Sequence, residues 1–251
     1  MKARLFFHLY SHKIFFWLFI AMFGCQIFFW KQTEKVSGEF EIIPPAPNQY
    51  LVSALALGDE EFLFRIMAMR LQSSGDIFAG FVALKDYDYS RIYQWMKMLD
   101  TLNNQSRMIP SLAAYYYSEA PNKDNLKYVI DYLEEHSLQN LDYNWWWLFQ
   151  AIYIAKKIGD YDRALELSYK LAQNNAKDAP IWTKQMPAFI SEEMGEGCVA
   201  FGVISKLIAE SESGQRQFSA DEVNFMRFFI NKRLLRLKEG KFDPRKCSKK
   251  L

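Results

Sequence analysis

A single uninterrupted apolar run constrains the first part of this chain. The run begins at Ile14, ends at Trp30 and reads IFFWLFIAMFGCQIFFW, seventeen residues in all. A helix of that length extends roughly 26 Å, slightly less than a hydrocarbon core of about 30 Å. Trp17 and Trp30 lie near its two ends, where indole rings favour the headgroup region. The sequence therefore predicts one membrane-spanning helix over residues 14–30, preceded by a basic tip at residues 1–13.

The basic residues of that tip set the expected orientation. Lys2, Arg4 and Lys13 precede the run, whereas the basic residues after it are interleaved with acidic ones. Positive charge next to a membrane helix is enriched on the cytoplasmic side. We therefore expect a single-pass protein of the bacterial inner membrane, with its amino terminus in the cytoplasm and its domain on the extracytoplasmic side.

Two other interpretations of this segment stay open. A basic start followed by an apolar stretch also describes a secretory signal, and residues 36–38 offer small side chains for a peptidase. The second alternative is a lipid-modified Cys25, although the residues before it are bulky. The run is longer than a usual signal core and continues beyond Cys25, which favours a retained helix.

The remainder of the chain divides by composition into three segments. Residues 31–48 are mostly polar and end in Pro-Pro-Ala-Pro-Asn, which is typical of a semi-rigid extended linker. Residues 49–239 are long and aromatic enough to build one core, with 17% aromatic residues in the chain as a whole. Residues 240–251 form a basic tail.

Charge is distributed unevenly, although the total is only +2. Residues 36–231 contain seventeen basic and twenty-six acidic residues, a net −9, and residues 232–251 contain nine and two, a net +7. An acidic body lacks the basic face that phosphate binding requires, so we expect no nucleic-acid partner. The basic tail is either a solvated carboxyl terminus or a contact for anionic lipid or an acidic partner.

Residues that usually carry catalysis or bind metals are scarce. The three cysteines, at positions 25, 198 and 247, lie in unrelated sequence contexts, so no structural disulfide is expected. His136 is the only histidine of the body and is expected at the surface near a helix end. With these residues the chain offers no catalytic triad and no zinc-binding motif.

Two further patterns are interpreted as structural. The pairs Glu134-Glu135 and Glu192-Glu193 consist of adjacent residues, which diverge by about 100° on a helix and are expected on solvated faces. Gly195-Glu196-Gly197 lacks the preceding strand of a nucleotide-binding turn and is expected to join two helices. We therefore expect a non-enzymatic protein without metal or cofactor.

Acidic residues recur at a nearly constant spacing along the body. Asp86, Asp124, Asp160 and Glu196 are separated by 38, 36 and 36 residues. Each is expected to cap the amino terminus of a helix, where it binds free backbone amides and faces the positive end of the helix dipole. Each unit is then an antiparallel helix pair, and such pairs stack because a single pair cannot bury its apolar stripe.

Apolar residues recur at intervals of three and four throughout these units, as in α-helices. Pro187 lies inside one of the predicted helices and is expected to kink it. The predicted helices are residues 59–74, 88–102, 108–118, 123–137, 143–158, 161–174, 180–193, 197–211 and 219–238.

Residues 145–178 resemble a tetratricopeptide repeat (TPR). The resemblance is carried by the Gly-Asp-Tyr-Asp turn at residues 159–162 and by Ala164-Leu165 at the start of the following helix. Ile152 and Ala155 depart from the family pattern, which implies wider or irregular packing. The resemblance implies an all-α fold: a TPR-like α-solenoid of about four helix pairs plus a C-terminal helix, preceded by one transmembrane helix.

In TPR proteins the first helix of each pair lines a concave groove that binds a peptide or a helix. Carried over by position, the resemblance implies a groove with flat aromatic anchors and paired positive charge. For Trp146 and Tyr153 the groove and the core are both open, whereas Trp147 is favoured as core. The expected lining residues are Trp146, Phe149, Tyr153, Lys156, Lys157, Trp182, Gln185 and Phe189.

These observations favour a membrane-anchored, non-catalytic scaffold or assembly adaptor that binds a protein partner at the membrane. The alternative is a structural subunit of a larger membrane protein complex, with its aromatic surface permanently buried against neighbouring chains. The two hypotheses differ in what the isolated chain should do: an adaptor domain should be soluble and should unfold cooperatively on its own.

Overall fold

The fold is seen in a computed structural model, in which the chain forms two compact units, Met1–Glu41 and Ile42–Leu251. The expected basic tail at residues 240–251 lies outside the described residues. The structure describes residues 2–33, 42–77, 80–177, 179–215 and 217–238.

The first unit contains one long helix, α1, which spans Lys2–Thr33. The helix begins within the predicted basic tip rather than at residue 14, because the residues before the apolar run also favour helix. Its segment Ile14–Lys31 is long and apolar enough to cross a membrane, and all of its side chains are exposed within the unit. The unit therefore supplies one apolar helix near the amino terminus.

Over its described residues, the second unit is helical apart from a two-residue antiparallel pair, in which Asp76–Ile77 faces Gly80–Phe81. Two short 3₁₀ turns, Leu84–Asp86 and Tyr117–Glu119, connect helices. The α-helices of this unit are α2 (Gln49–Ala56), α3 (Glu60–Gln72), α4 (Tyr89–Leu102), α5 (Met108–Tyr115), α6 (Lys123–Gln139), α7 (Leu141–Ile158), α8 (Tyr161–Leu171), α9 (Trp182–Glu193), α10 (Gly197–Glu212) and α11 (Ala220–Lys238).

The nine helices predicted for the body are present with small differences at their ends, whereas α2 was not predicted. The prediction succeeded because apolar residues at helical spacing are a local signal. Helix α2 has only eight residues and follows a proline-rich stretch, so its pattern is too short to be distinguished from a loop. Pro187 lies inside α9, as expected.

The acidic residues of the 36-residue spacing do not all cap helices. Asp160 does so for α8, where its carboxylate accepts from the backbone N–H of Arg163. Helix α4 is capped by Asp88 instead of Asp86, and α6 by Asn122 instead of Asp124. Glu196 occupies the cap position of α10 without a side-chain hydrogen bond. The 36-residue spacing thus predicts where the turns lie. Which residue caps each helix depends on where that helix begins.

Consecutive helices pack against one another from α2 to α11, and α3 also contacts α5, α4 contacts α6, and α5 contacts α7. The interior is formed by one large apolar cluster that extends from Ile43 to Ile190, and a smaller cluster joins α9, α10 and α11. Small residues let the helices approach closely, since Ala151, Ala155 and Ala164 are fully buried. Each helix is therefore held mainly by its sequence neighbours and next neighbours.

The proline-containing segment 42–47 packs against this unit instead of forming a free spacer. Ile43 is buried in the large cluster, and its carbonyl oxygen accepts a hydrogen bond from Nη1 of Arg91 at 2.9 Å. The carbonyl oxygen of Pro44 accepts from Nε1 of Trp95 at 2.7 Å. The compact unit consequently begins at Ile42, earlier than the expected boundary at residue 49.

A disulfide is present, contrary to the expectation from cysteine spacing. Cys198 on α10 is disulfide-bonded, whereas Cys25 in α1 is free. Cys247 lies outside the described residues. The spacing of cysteines in the sequence carries no information about which of them meet after folding, and this is why the sequence argument was wrong.

Candidate partner-binding surface

The outward side of α7 carries the residues that the sequence singles out. Asn140 caps this helix at its start, and Gly159 ends it with a φ of 84°, a left-handed conformation that glycine adopts without strain. Trp146, Phe149 and Tyr153 follow one another at intervals of three and four, so they lie on one side of α7. The other side, which includes Trp147 and Leu148, is buried in the core.

A group of packed aromatic rings links α7 to α9. The ring of Phe149 lies 4.7 Å from that of Trp182, and the ring of Trp146 lies 5.4 Å from that of Phe149. Trp145 contacts both Trp146 and Trp182, at centroid distances of 5.7 and 6.0 Å. Tilted and edge-to-face arrangements at these distances are the favourable ones for aromatic pairs. The rings therefore form a preorganised surface rather than independent side chains.

A hydrogen bond extends this surface to α5. Nε1 of Trp146 donates to the hydroxyl oxygen of Tyr115 at 2.9 Å, and the Tyr115 ring packs edge-on against Trp147. Trp146 remains 38% exposed and Tyr153 remains 56% exposed, although both are large apolar side chains. We call the set Tyr115, Trp145, Trp146, Phe149, Tyr153 and Trp182 the aromatic surface.

The two lysines at the end of α7 are engaged in ion pairs. Nζ of Lys156 lies 2.6 Å from Oε1 of Glu193 on α9, and Nζ of Lys157 lies 2.9 Å from Oε1 of Glu119. Lys157 also donates to the carbonyl oxygen of Ser118. These bonds neutralise the paired positive charge that the sequence places in the groove. Exposed ion pairs contribute little to the free energy of unfolding. These two pairs therefore form a polar rim of the surface and add little to its stability.

Gln185 and Phe189, the remaining residues of the expected groove, have other surroundings. Gln185 of α9 is 1% exposed, so its side chain lies in the protein interior and is inaccessible to a partner. Phe189 is half-buried and packs against Phe225 and Phe229 of α11. Phe189 is covered by α11, a helix whose position the repeat pattern does not specify.

Tyr115 and its neighbour Tyr116 are exposed aromatic residues that the sequence argument did not assign to the surface. The signal available in the sequence was the triplet Tyr115-Tyr116-Tyr117, in which only Tyr117 is buried. Tyr143 is also exposed at the start of α7, where the guanidinium of Arg107 lies 5.8 Å from its ring centroid. Exposed aromatic side chains thus extend along α5 and α7.

A group of hydrogen-bonded polar side chains lies between α4 and α6. Oδ2 of Asp100 contacts Nδ1 of His136 at 2.8 Å, and the hydroxyl of Tyr132 donates to Oδ1 of Asp100 at 3.0 Å. His136 is 1% exposed, so the expectation of a surface histidine is wrong: its partner is a carboxylate on a different helix. Burial, followed by the nearby charge of Asp100, raises the pKa of the Tyr132 hydroxyl well above its usual range.

These residues border an open cleft of about 400 Å³, which also contacts Lys97 and Thr101. The hydroxyl of Thr101 donates to the carbonyl oxygen of Met98 at 2.6 Å, so this group is already engaged as a donor. Asp100 on α4 is thus joined to Tyr132 and His136 on α6.

Glu134 is also placed differently from the expectation of a solvated face. It is 7% exposed and lies between α6 and α8, where its carboxylate contacts the guanidinium of Arg163 and Nζ of Lys170. Glu166 binds the same two basic side chains, and Asp131 binds Arg163. The neighbouring Glu135 is exposed, as expected. This ion-pair network connects α6 to α8.

Within the part of the chain that the structure describes, no group of three or more histidine, cysteine, aspartate or glutamate side chains is arranged to hold a metal ion. Protein-family models, curated proteins and solved structures give no match to this chain. The aromatic surface and the apolar helix α1 are the features of the described residues that bear on function.

Proposed function

We propose that this chain is a membrane-anchored, non-catalytic adaptor or assembly scaffold whose aromatic surface binds an apolar or aromatic segment of a protein partner. The observation that carries the proposal is the exposure of Trp146 and Tyr153 on the same side of α7 as the packed rings of Phe149 and Trp182. Tryptophan and tyrosine on a preorganised, partly desolvated surface are the residues that most often dominate binding energy.

The chemistry of the surface limits the kind of segment that fits it. Lys156 and Lys157 are paired with Glu193 and Glu119, so an acidic tail would have to displace these carboxylates to be bound. The aromatic rings present faces and edges that suit apolar side chains of a helix or an extended strand. We therefore infer anchoring by apolar side chains, with the ion pairs at the rim excluding water.

Two observations support a location outside the cytoplasm. Helix α1 is apolar and long enough to span a bilayer, with its basic residues concentrated before the apolar segment. Cys198 is disulfide-bonded, and disulfides persist mainly in oxidising compartments such as the bacterial periplasm. In this proposal the amino terminus lies in the cytoplasm and residues 42–251 lie on the extracytoplasmic side of the inner membrane.

The packing of helix pairs favours a TPR-like solenoid as the scaffold. Helices α3 and α4, α5 and α6, α7 and α8, and α9 and α10 form four successive pairs, and α11 follows the last. The aromatic surface lies on first helices of these pairs, where the TPR resemblance places the binding groove. A solenoid of this kind holds a partner through side chains from several repeats.

The experiment that tests the proposal is in-cell crosslinking followed by mass-spectrometric identification of the captured proteins. The full chain is compared with Trp146→Ala/Tyr153→Ala, and Tyr169→Ala on α8 serves as a matched control because Tyr169 is also exposed. We expect the double variant to lose one defined partner that the wild type and the control retain. Thermal unfolding of each purified chain establishes that the variants remain folded.

An unchanged set of captured proteins in the folded double variant would contradict the proposal. A purified chain that turns over a substrate would contradict its non-catalytic part. The alternative, a structural subunit, is favoured if the chain becomes insoluble or is degraded when its captured neighbours are depleted, since an obligate subunit lacks a stable free state.

A further inference from the structure

An exposed apolar face covers α2 and α3. Phe62, Ile66 and Met69 recur at intervals of four and three, so they form one stripe along α3, and all three are exposed. Leucines of α2 and of the turn after it are exposed as well. We call the following set the α2–α3 face: Leu51, Leu55, Leu57, Phe62, Ile66 and Met69.

This face lies at the end of the helix stack and is not covered by the described helices. The opposite side of α3, with Phe64, Ala68 and Leu71, is buried against the core. The end of a helical stack normally presents a polar outer surface, because nothing further packs on it. Contiguous exposed apolar residues on a soluble surface mark a site of contact with another protein or with a membrane.

Leu57, a residue of this face, has an unfavourable backbone conformation and an exposed side chain. It ends α2 with a φ of 49°, the left-handed conformation that glycine usually occupies at this position, and it is 92% exposed. Among the described residues other than glycine, it alone has a positive φ. Both the backbone and the solvent disfavour leucine here. A residue that is strained and exposed at once indicates a function for its side chain.

The connection to α1 favours a bilayer as the occupant of this face. From Thr33, where α1 ends, to Ile42, where the second unit begins, the chain advances nine residues (42 − 33), which span at most about 30 Å. Helix α2 begins only seven residues after Ile42 (49 − 42). Helix α2 is thus the first helix of the second unit after the apolar helix.

Basic side chains accompany the apolar stripe. Arg65 and Arg70 are exposed on α3, next to Ile66 and Met69 in the sequence, and Nε of Arg65 is paired with Oε1 of Glu61 at 2.8 Å. Arginine extends its charged group towards lipid phosphates while its stem lies along apolar surface. A helix face of this composition is suited to the boundary between headgroups and acyl chains.

We propose that the α2–α3 face inserts into the headgroup region of the bilayer that α1 spans and so orients the helical unit at the membrane. The inference rests on the membrane anchor of the proposed function and is independent of the partner bound by the aromatic surface. In this arrangement Leu57 and Phe62 contact acyl chains, and Arg70 contacts anionic phosphates.

The test is photo-crosslinking of the full-length chain reconstituted into bilayers of phosphatidylcholine and phosphatidylglycerol. A benzophenone amino acid replaces Phe62 on α3, Phe19 in α1, or Tyr169 on α8, all of which are exposed. We expect lipid adducts from positions 62 and 19 and none from position 169. Adducts from position 19 alone would overturn this inference and leave the anchor intact.

The other outcomes are also decisive. Protein adducts without lipid adducts at position 62 would assign the face to a partner or a second copy. Equal lipid adducts at positions 62 and 169 would show unspecific contact, and the absence of lipid adducts at both 62 and 19 would contradict the anchor and the inference together. Each of these results overturns the inference.

Leu57→Gly provides a variant that should not damage the fold. Because glycine relieves the left-handed strain, we expect the melting temperature to stay the same or to rise. We expect the yield of lipid adduct from position 62 to fall in the same variant, since one apolar contact is lost. An unchanged adduct yield in this variant would contradict a role for Leu57 in membrane contact.

Discussion

The indole of Trp146 donates a hydrogen bond to the hydroxyl oxygen of Tyr115 at 2.9 Å and so joins α7 to α5 across an exposed surface. The two residues are 31 positions apart in the sequence. Together with the ring contacts of Trp146 to Trp145 and Phe149, the bond holds this large side chain in one orientation. It therefore preorganises the aromatic surface for binding, which lowers the entropic cost of association.

Replacing the Tyr115 hydroxyl tests how much that bond contributes to stability. We expect Tyr115→Phe to lower the free energy of unfolding by less than about 1 kcal/mol, because water can take the place of the lost acceptor at an exposed site. Tyr115→Ala should cost more, since it also removes the ring that packs against Trp147. Urea unfolding measures both. Equal losses would show that the hydrogen bond dominates.

The buried pair of Asp100 and His136 gives a larger expected effect. Asp100→Ala removes the acceptor for the Tyr132 hydroxyl and leaves the His136 ring without its partner, in a place where the Asp100 side chain is only 7% exposed. We expect a loss of about 2–4 kcal/mol. Asp100→Asn keeps one acceptor oxygen and should cost less. Urea unfolding of the two variants checks this order, and the reverse order would contradict it.

The ion-pair network formed by side chains of α6 and α8 predicts a dependence of stability on pH. Hydrogen bonds from Lys170 and then Arg163 lower the pKa of Glu166 below its ordinary 4.5, so its contribution is present above that pH and is lost as the pH falls through the folded pKa. Hydrogen bonds to Glu134 and then Glu166 raise the pKa of Lys170 above 10.5, so its contribution is lost only as the pH rises past that value.

Melting temperatures measured from pH 7 down to acid check this sign. We expect Glu166→Gln to reduce stability at neutral pH and to flatten the loss below its ordinary pKa of 4.5. The effect should be small, because the Glu166 side chain is half exposed and solvent screens the pair. If the melting temperature of Glu166→Gln fell more steeply in acid than that of the wild type, the stabilising role of the Glu166 carboxylate would be contradicted.

The cap of α4 distinguishes the structure from the sequence prediction. The carboxylate of Asp88 accepts a hydrogen bond from the backbone N–H of Arg91. We therefore expect Asp88→Ala to lower the free energy of unfolding by about 1 kcal/mol. Asp86, the residue selected by the 36-residue spacing, should change stability by less than about 0.5 kcal/mol. Thermal unfolding of Asp88→Ala and Asp86→Ala decides between them. A larger loss of stability in Asp86→Ala would identify Asp86 as the cap instead.

The disulfide at Cys198 predicts a stability that depends on redox conditions. We expect Cys198→Ser to lower the free energy of unfolding by about 2–4 kcal/mol under oxidising conditions. A reductant should destabilise the wild type to the same level and leave the variant unchanged. If reductant affects both chains equally, the disulfide does not contribute to stability.

Local patterns in the sequence predicted the helices well. The apolar run of α1 and the three-and-four spacing of residues such as Ala164 and Leu167 depend only on the geometry of one helix, so nine body helices could be placed without tertiary information. The caps were less predictable, because Asp86 and Asp88 are both acidic and only the start of α4 selects one of them.

The surroundings of the functional side chains were decided by the tertiary structure. The expected basic pair, Lys156 and Lys157, is neutralised by Glu193 and Glu119, which are 37 and 38 residues away. Similarly, Gln185 became interior and Tyr115 joined the aromatic surface. The sequence by itself determined which segments are helical and apolar. The helix packing alone decided which side chains are buried, paired or exposed, because those properties depend on neighbours that are distant along the chain.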